Sequence, residues 1–216
     1  MEIQKITDDI HLIQLGGLES NIYLIKKKVL IDAGLGFHKK ILEKALTTLD
    51  ITPDEIERII FTHAHYDHIG GASSFKNAKI AIHTDDAQVL ETGDSTKSCA
   101  FAFGKDLTKT KVDLKLFDSD TIRIDNIALK VIHTPGHTEG SICLYDKDKK
   151  ILFTGDTIFS DAIGRTDLPG SDEQEMKQSL DLLKTLHVTT ILPGHGKIIE
   201  KDAEASINNT IKMYSY

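Results

Sequence analysis

The apolar positions of this 216-residue chain fall into short runs separated by turn residues, with two periods interleaved along its length. Near the N-terminus, "DIHLIQLGG", "SNIYLIKKK" and "KVLIDAG" carry apolar and β-branched residues between glycines, lysines and aspartates, the pattern of a strand meander. The period then changes. In "HKKILEKALTTLDI" the residues Ile41, Leu42, Ala45, Leu46 and Leu49 recur at helical spacing. "IERIIFTH" predicts a buried strand over 56–63. "DHIGGASSF" predicts a short helix start, and "AKIAIHT" another strand. "TDDAQVLETG" predicts a helix with Thr84 as its cap. Residues 93–113 show no clean period and read as a loop or lid.

Strands return in "DTIRID", "IALKVIHT" and "SICLYDKDKKILFTGD", the last folded back by a turn at 146–149. "SDEQEMKQSLDLLKTL" is the clearest helix. Ser171 and Gln174 suit a capping box, and Met176, Leu180 and Leu183 line one face. "TTILPGH" predicts a final strand and "DAEASINNTIKMY" a final helix. Two strands echo each other, since "RIIFTHAHYDH" and "KILFTGDTIF" both run apolar into Phe-Thr and then a polar cluster. Strands alternating with helices make this an α/β chain, and its length suits one domain over residues 1–216.

Composition narrows the setting. The net charge of −7 gives no whole-chain attraction to phosphate backbones or anionic lipid, so neither nucleic acid nor membrane is expected as a partner. No apolar run approaches bilayer length, and the N-terminus lacks the basic head and apolar core of a signal peptide. Two cysteines, Cys99 and Cys143, make no disulfide framework. A reducing, cytoplasmic setting is expected.

The ten histidines change the picture. Five of them sit in three short motifs. "FTHAHYDHIGG" places His63, His65, Asp67 and His68 at the end of an expected strand. There, side chains at i and i+2 point the same way, so His63 and His65 converge on one point. Asp67 and His68 follow where the chain turns and can face a second point nearby. Three later strand ends also finish in ligand-type residues: His137 in "VIHTPGHTEGS", Asp156 in "ILFTGD" and His195 in "LPGHG". Imidazole and carboxylate together suit zinc, iron or manganese. A single catalytic zinc takes three protein ligands and keeps an open position, so seven candidates suit two ions, with the two oxygens of Asp156 able to bridge them.

This order of motifs resembles the metallo-β-lactamase superfamily over nearly the whole chain. Within it, "FTGDTIFSDAIGRTDLPGSDEQEM" is similar to the glyoxalase II (hydroxyacylglutathione hydrolase) and persulfide dioxygenase branch. The resemblance implies a four-layer αββα sandwich, two mixed β-sheets with helices outside and the metals at one edge. It implies one metal set of His63, His65 and His137, a second of Asp67, His68 and His195, and Asp156 as bridge. Zinc is the first expectation for both ions, with Fe2+ or Mn2+ as alternatives. It also places Arg165 where such enzymes bind the acidic end of the substrate. An ion pair with Asp167 is the structural alternative for that residue. Only 21 residues follow His195, so the short single-domain members are the better match than full-length glyoxalase II.

The reaction expected is hydrolysis of a small-molecule thioester by hydroxide held between the metals, with Asp67 orienting it and taking its proton. A thiol leaves as thiolate, with a pKa near 8.5, and needs no separate acid. An amide does need a proton donor, and none is evident, so thioester or lactone is preferred over β-lactam. One rival is a mono-iron persulfide dioxygenase using His63, His137 and Asp156, and a lactonase is another. A metallonuclease is disfavoured by charge and length. Among the remaining residues, Asp32 in "LIDAG" is expected to hold a ligand histidine from behind. His133 is a candidate for the same role, Tyr66 for touching substrate, and Cys143 for packing.

Overall fold

The computed structural model describes residues 1–214; Ser215 and Tyr216, the last two positions of the expected single domain, lie outside the described residues. The first sheet contains β1 (Glu2–Lys5), β2 (Ile10–Gln14), β3 (Ile22–Ile25), β4 (Val29–Ile31), β5 (Arg58–Ile60), β6 (Lys79–His83) and β7 (Leu114–Leu116), in that spatial order. Its first four strands are the expected antiparallel meander, and β4 to β7 run parallel. The second sheet holds β8 (Thr121–Ile124), β9 (Ile127–His133), β10 (Ile142–Asp146), β11 (Ile151–Gly155), β12 (Thr190–Pro193) and β13 (Ile199–Glu200). Here β11 and β12 are the parallel pair, and the other neighbours are antiparallel. Both sheets are therefore mixed. The helices are α1 (Lys39–Thr48), α2 (Tyr66–Ile69), α3 (Thr84–Thr92), α4 (Glu173–Leu183) and α5 (Ala203–Tyr214).

The near-continuous apolar runs are explained by three cores. On a strand, neighbouring side chains point to opposite faces, so a strand buried on both faces must be apolar throughout. Ile22 and Leu24 of β3 face the helix side with Leu42, Ala45 and Leu46 of α1, while Tyr23 and Ile25 face the second sheet. In the second sheet, Leu144 and Phe153 point into the inter-sheet core. Cys143 and Leu152 point outward onto Met176, Leu180 and Leu183 of α4 and Ile207 of α5. The order of layers is helix, sheet, sheet, helix, as the resemblance implies. Each buried Leu on α4 contributes roughly 1.5–3 kcal/mol relative to exposure.

Several local expectations are corrected. The cap of α3 is His83, whose Nδ1 accepts the Asp85 N–H, because β6 runs straight into the helix and makes Thr84 its first helical residue. The cap of α4 is Asp172, which accepts N–H groups from Gln174 and Glu175. Ser171 is instead spent on Leu168, accepting its N–H and donating to its carbonyl. Residues 93–113 are a loop, as expected, and a packed one. They contain a 3-10 turn, Ala100–Phe103, with Ser98, Cys99 and Ala100 buried beneath it.

The two sheets are joined at the edge that carries the motifs. Tyr23 donates its hydroxyl to the Pro193 carbonyl at 2.7 Å, and Asn21 N–H donates to the Gly194 carbonyl at 2.7 Å. Gly155, at φ +47°, closes the contact, since a Cβ there lies 2.6 Å from the Cβ of Thr62. The echoed strand ends β5 and β11 thus meet with no room for a methyl group.

Candidate metal centre

The strand expected over 56–63 ends at Ile60, and the reason is two carboxylates. Phe61 N–H makes the last sheet bond, to the Ala81 carbonyl. Thr62 N–H then goes to Asp32 Oδ1 at 2.8 Å, and Ala64 N–H to Asp86 Oδ2 at 2.7 Å. Side-chain acceptors replace strand partners, so His63 and His65 stand on chain that has left the sheet. The single turn of α2 follows and carries Asp67 and His68. Its exit is tight: a Cβ on Gly71 lies 2.0 Å from the Ala33 carbonyl oxygen. His137 sits in the loop between β9 and β10, Asp156 directly after β11, and His195 two residues beyond β12.

These seven side chains meet. His65 Nδ1 lies 2.8 Å from His137 Nε2, and the His63 ring is 4.9 Å from His65 and 4.8 Å from His137. His68 Nε2 is 3.2 Å from His195 Nε2, which is 3.0 Å from Asp67 Oδ2. Asp156 stands between the two groups: its Oδ1 is 3.3 Å from His68 Nε2, and its Oδ2 is 3.6 Å from His137 and 3.7 Å from His195. The groups His63/His65/His137, His63/His68/Asp156 and Asp67/His68/His195 each bring ligand atoms within 4.8 Å of one another.

Hydrogen bonds from behind fix which ring nitrogen faces inward. His137 Nδ1 is 2.8 Å from the Arg165 carbonyl and His68 Nδ1 is 2.8 Å from Asp32 Oδ2; both partners only accept, so both histidines donate through Nδ1. Thr62 donates its hydroxyl to Asp32 Oδ2 and so accepts from His63 Nδ1. In each case Nε2 is left aimed at the centre. His63 Nε2, His65 Nε2 and Asp156 Oδ1 are buried with no hydrogen-bond partner among the described residues. Such atoms are costly unless a further group satisfies them. Burial pushes His63 well below the ordinary histidine range and His65 down to about 3, so both are neutral donors of lone pairs. Burial alone would lower His68 too, but the carboxylates of Asp156, Asp32 and Asp67 outweigh it and draw positive charge into the centre. Orphaned imidazole lone pairs among ionised carboxylates are the donor set of a divalent transition metal.

The sequence over residues 15–195 matches the model of the metallo-beta-lactamase superfamily. The chain belongs to that superfamily. A human acyl-coenzyme A thioesterase, MBLAC2, is 29% identical over 83% of this chain and 74% of its own length. Among solved structures, the B3 metallo-beta-lactamase BLEG-1 superposes with a TM-score of 0.76 at 30% identity, covering 88% of this chain and 92% of that one. The protein TTHA1623 in a di-iron-bound form gives 0.74 at 30% identity, over 90% and 96%. The superfamily fold, two mixed sheets flanked by helices, and its hydrolase class are those of this protein.

Other residues of this superfamily member take plainer roles. The Arg165 guanidinium forms a two-pronged pair with Asp167, both bonds 2.8 Å, with the arginine side chain 64% exposed; its carbonyl is what touches His137. Tyr66 stacks on Phe103 at 6.0 Å. His133 is not behind a ligand. It donates Nε2–H to the Glu139 carbonyl and stacks on His83 at 4.0 Å; with Asp85 these rings form a separate, internally hydrogen-bonded group. Cys99 and Cys143 are free and buried. Asp86 was not singled out by sequence reasoning, yet it is central. It accepts from Ala64 N–H, Thr138 Oγ1 at 2.8 Å and Gly140 N–H at 2.8 Å, tying the first histidine motif to the loop of His137. Burial pushes it up to about 6 against those three donors. The available signal was its place among helix positions that otherwise alternate with the surface.

Proposed function

We propose that this protein is a glyoxalase II-like thioesterase, a hydrolase that cleaves a small-molecule thioester at a two-metal centre. The observation that carries the reading is the pairing of two three-residue ligand sets across one shared carboxylate, Asp156, with the buried His63 Nε2 and Asp156 Oδ1 left without a hydrogen-bond partner among the described residues. His63, His65 and His137 would hold one divalent ion and Asp67, His68 and His195 the other, zinc first, with Fe2+ or Mn2+ as alternatives. Ions bound there polarise a carbonyl and make water nucleophilic near neutral pH.

The chain's own groups do the rest. Burial would raise Asp67, but His68 and the hydrogen bond to His195 outweigh it and hold its carboxylate ionised, free to accept the proton of the attacking water. Water oxygen bonds to the carbonyl carbon, the C–S bond breaks, and the thiolate leaves without a dedicated acid. A groove of about 490 Å³ bordered by Gln14, Gly17, Glu19, Asn21 and His195 opens beside the centre and gives room for substrate. Arg165, at the mouth, is available to an anionic end of the substrate in exchange for Asp167. The human thioesterase relative supports the substrate class, and the free thiols of Cys99 and Cys143 support work in a reducing cytoplasm.

The test joins elemental analysis of protein purified without added metal to paired assays of S-lactoylglutathione hydrolysis and persulfide-dependent oxygen loss. Two metals per chain with hydrolysis and no oxygen uptake is the expected result. One iron per chain with oxygen loss rejects it in favour of a persulfide dioxygenase. Cleavage of small lactones without thioesters assigns a lactonase.

A further inference from the structure

We infer that the mouth of the metal centre binds the hydrocarbon part of the substrate, so that the preferred thioesters carry an extended, apolar acyl group. This rests on the thioesterase reading above. Leu18 is 69% exposed and Phe37 50% exposed, and large apolar side chains gathered at one solvent-facing place mark a binding surface.

Five separate segments supply the rim, each tied to the centre or to a residue close to it in the chain. Leu18 lies in the loop whose Ser20 N–H donates to the Asp67 carbonyl. Phe37 follows Gly36, where a Cβ lies 2.8 Å from the Gly70 carbonyl oxygen, so its backbone is pressed against the exit of α2. Tyr66 directly precedes Asp67 and stacks on Phe103 of the 3-10 turn Ala100–Phe103. Phe159 packs on the His195 ring at 6.3 Å. Lys105 Nζ lies over the Phe37 ring at 5.3 Å. The patch is continuous with the candidate ligands, which is why its occupant is the substrate rather than a second protein. A carbonyl seated between the metal sets puts the acyl chain within reach of these rings.

The experiment uses straight-chain acyl thioesters from acetyl to dodecanoyl on one small neutral thiol, with the metal-loaded protein. Each methylene that the rim covers raises kcat/KM about three- to fourfold, until the rim is spanned and the series levels. Phe37→Ala and Leu18→Ser, both at exposed positions that do not threaten folding, flatten the slope. Phe117→Ala, on the turn after β7, leaves it as in wild type. Calorimetry with non-hydrolysable thioethers of the same acyl lengths gives the same order of affinity without turnover. A flat or falling series on protein that cleaves the acetyl ester overturns the inference and leaves the thioesterase reading standing. A steep slope that survives both rim variants overturns the assignment to these residues. No cleavage at any chain length overturns the thioesterase reading itself.

Discussion

Asp32 performs two tasks with two oxygens, and a pair of substitutions separates them. Oδ1 ends the β5 ladder by accepting Thr62 N–H, while Oδ2 accepts from Thr62 Oγ1 and His68 Nδ1. Asp32→Ala removes both oxygens and with them all three hydrogen bonds. His68 then loses the bond that keeps its Nε2 lone pair inward, and loss of such a partner lowers metal affinity 10–100-fold, or about 1.4–2.7 kcal/mol. Asp32→Asn is different. Its oxygen keeps the two bonds at the Oδ2 position, and its amide nitrogen faces Thr62 N–H, donor against donor. Affinity for an ion held by His68 therefore stays within about threefold of wild type, while the metal-free fold loses about 1–3 kcal/mol for the unpaired buried N–H. Competition with a chromophoric zinc chelator measures the first quantity. Urea unfolding of metal-free protein measures the second. If Asp32→Ala retains wild-type affinity, or Asp32→Asn loses as much affinity as Asp32→Ala, the orienting role is wrong.

Asp86 gives a pH signature. Its folded pKa, about 6, lies above the ordinary aspartate value, so the native state takes up a proton between about pH 4 and 6 that the unfolded chain lacks, and the stability from this group rises as pH falls through 6. Asp86→Asn cannot take up that proton, so the stability gap between wild type and variant widens from pH 7 to pH 5; a constant gap in urea titrations counts against it. Gly155→Ala meets both a left-handed backbone and the Thr62 side chain, and costs roughly 2–5 kcal/mol by denaturant unfolding; a loss under 1 kcal/mol would show that the two strand ends have slack. Arg165→Ala breaks only an exposed pair, so stability changes by less than about 1 kcal/mol, while KM for thioesters with an anionic tail rises several-fold at constant kcat. An unchanged KM removes Arg165 from substrate binding.

The residues that gather at the centre were legible because each lies in the short polar stretch that follows a strand, and strands can be read from local apolar runs. β3, β4, β5, β9 and β10 were visible for the same reason. What the sequence hid were the non-local acceptors. Nothing in "RIIFTHAH" says that the sheet stops at Phe61, because the cause lies in Asp32, 30 positions earlier, and Asp86, 22 positions after Ala64. The caps failed similarly. Ser171 and Thr84 are good cap residues in isolation, but the Asp172 N–H is held by the Gly136 carbonyl, and β6 leads into α3 without a break. Local preference yielded to tertiary contacts in both places. Residues 93–113 lacked a period because they pack as turns around buried Ser98 and Ala100 rather than as one repeating element.

The seven-residue cluster draws on both halves of the sandwich, with His63, His65, Asp67 and His68 hung from the first sheet and His137, Asp156 and His195 from the second. Ions held there act as rivets across the seam. A separated pair of sheets offers no complete ligand set, so the riveting energy is felt only after the halves have docked. Loading would therefore slow the parting of the sheets far more than it hastens their meeting, and the same side chains would then give longevity as well as chemistry.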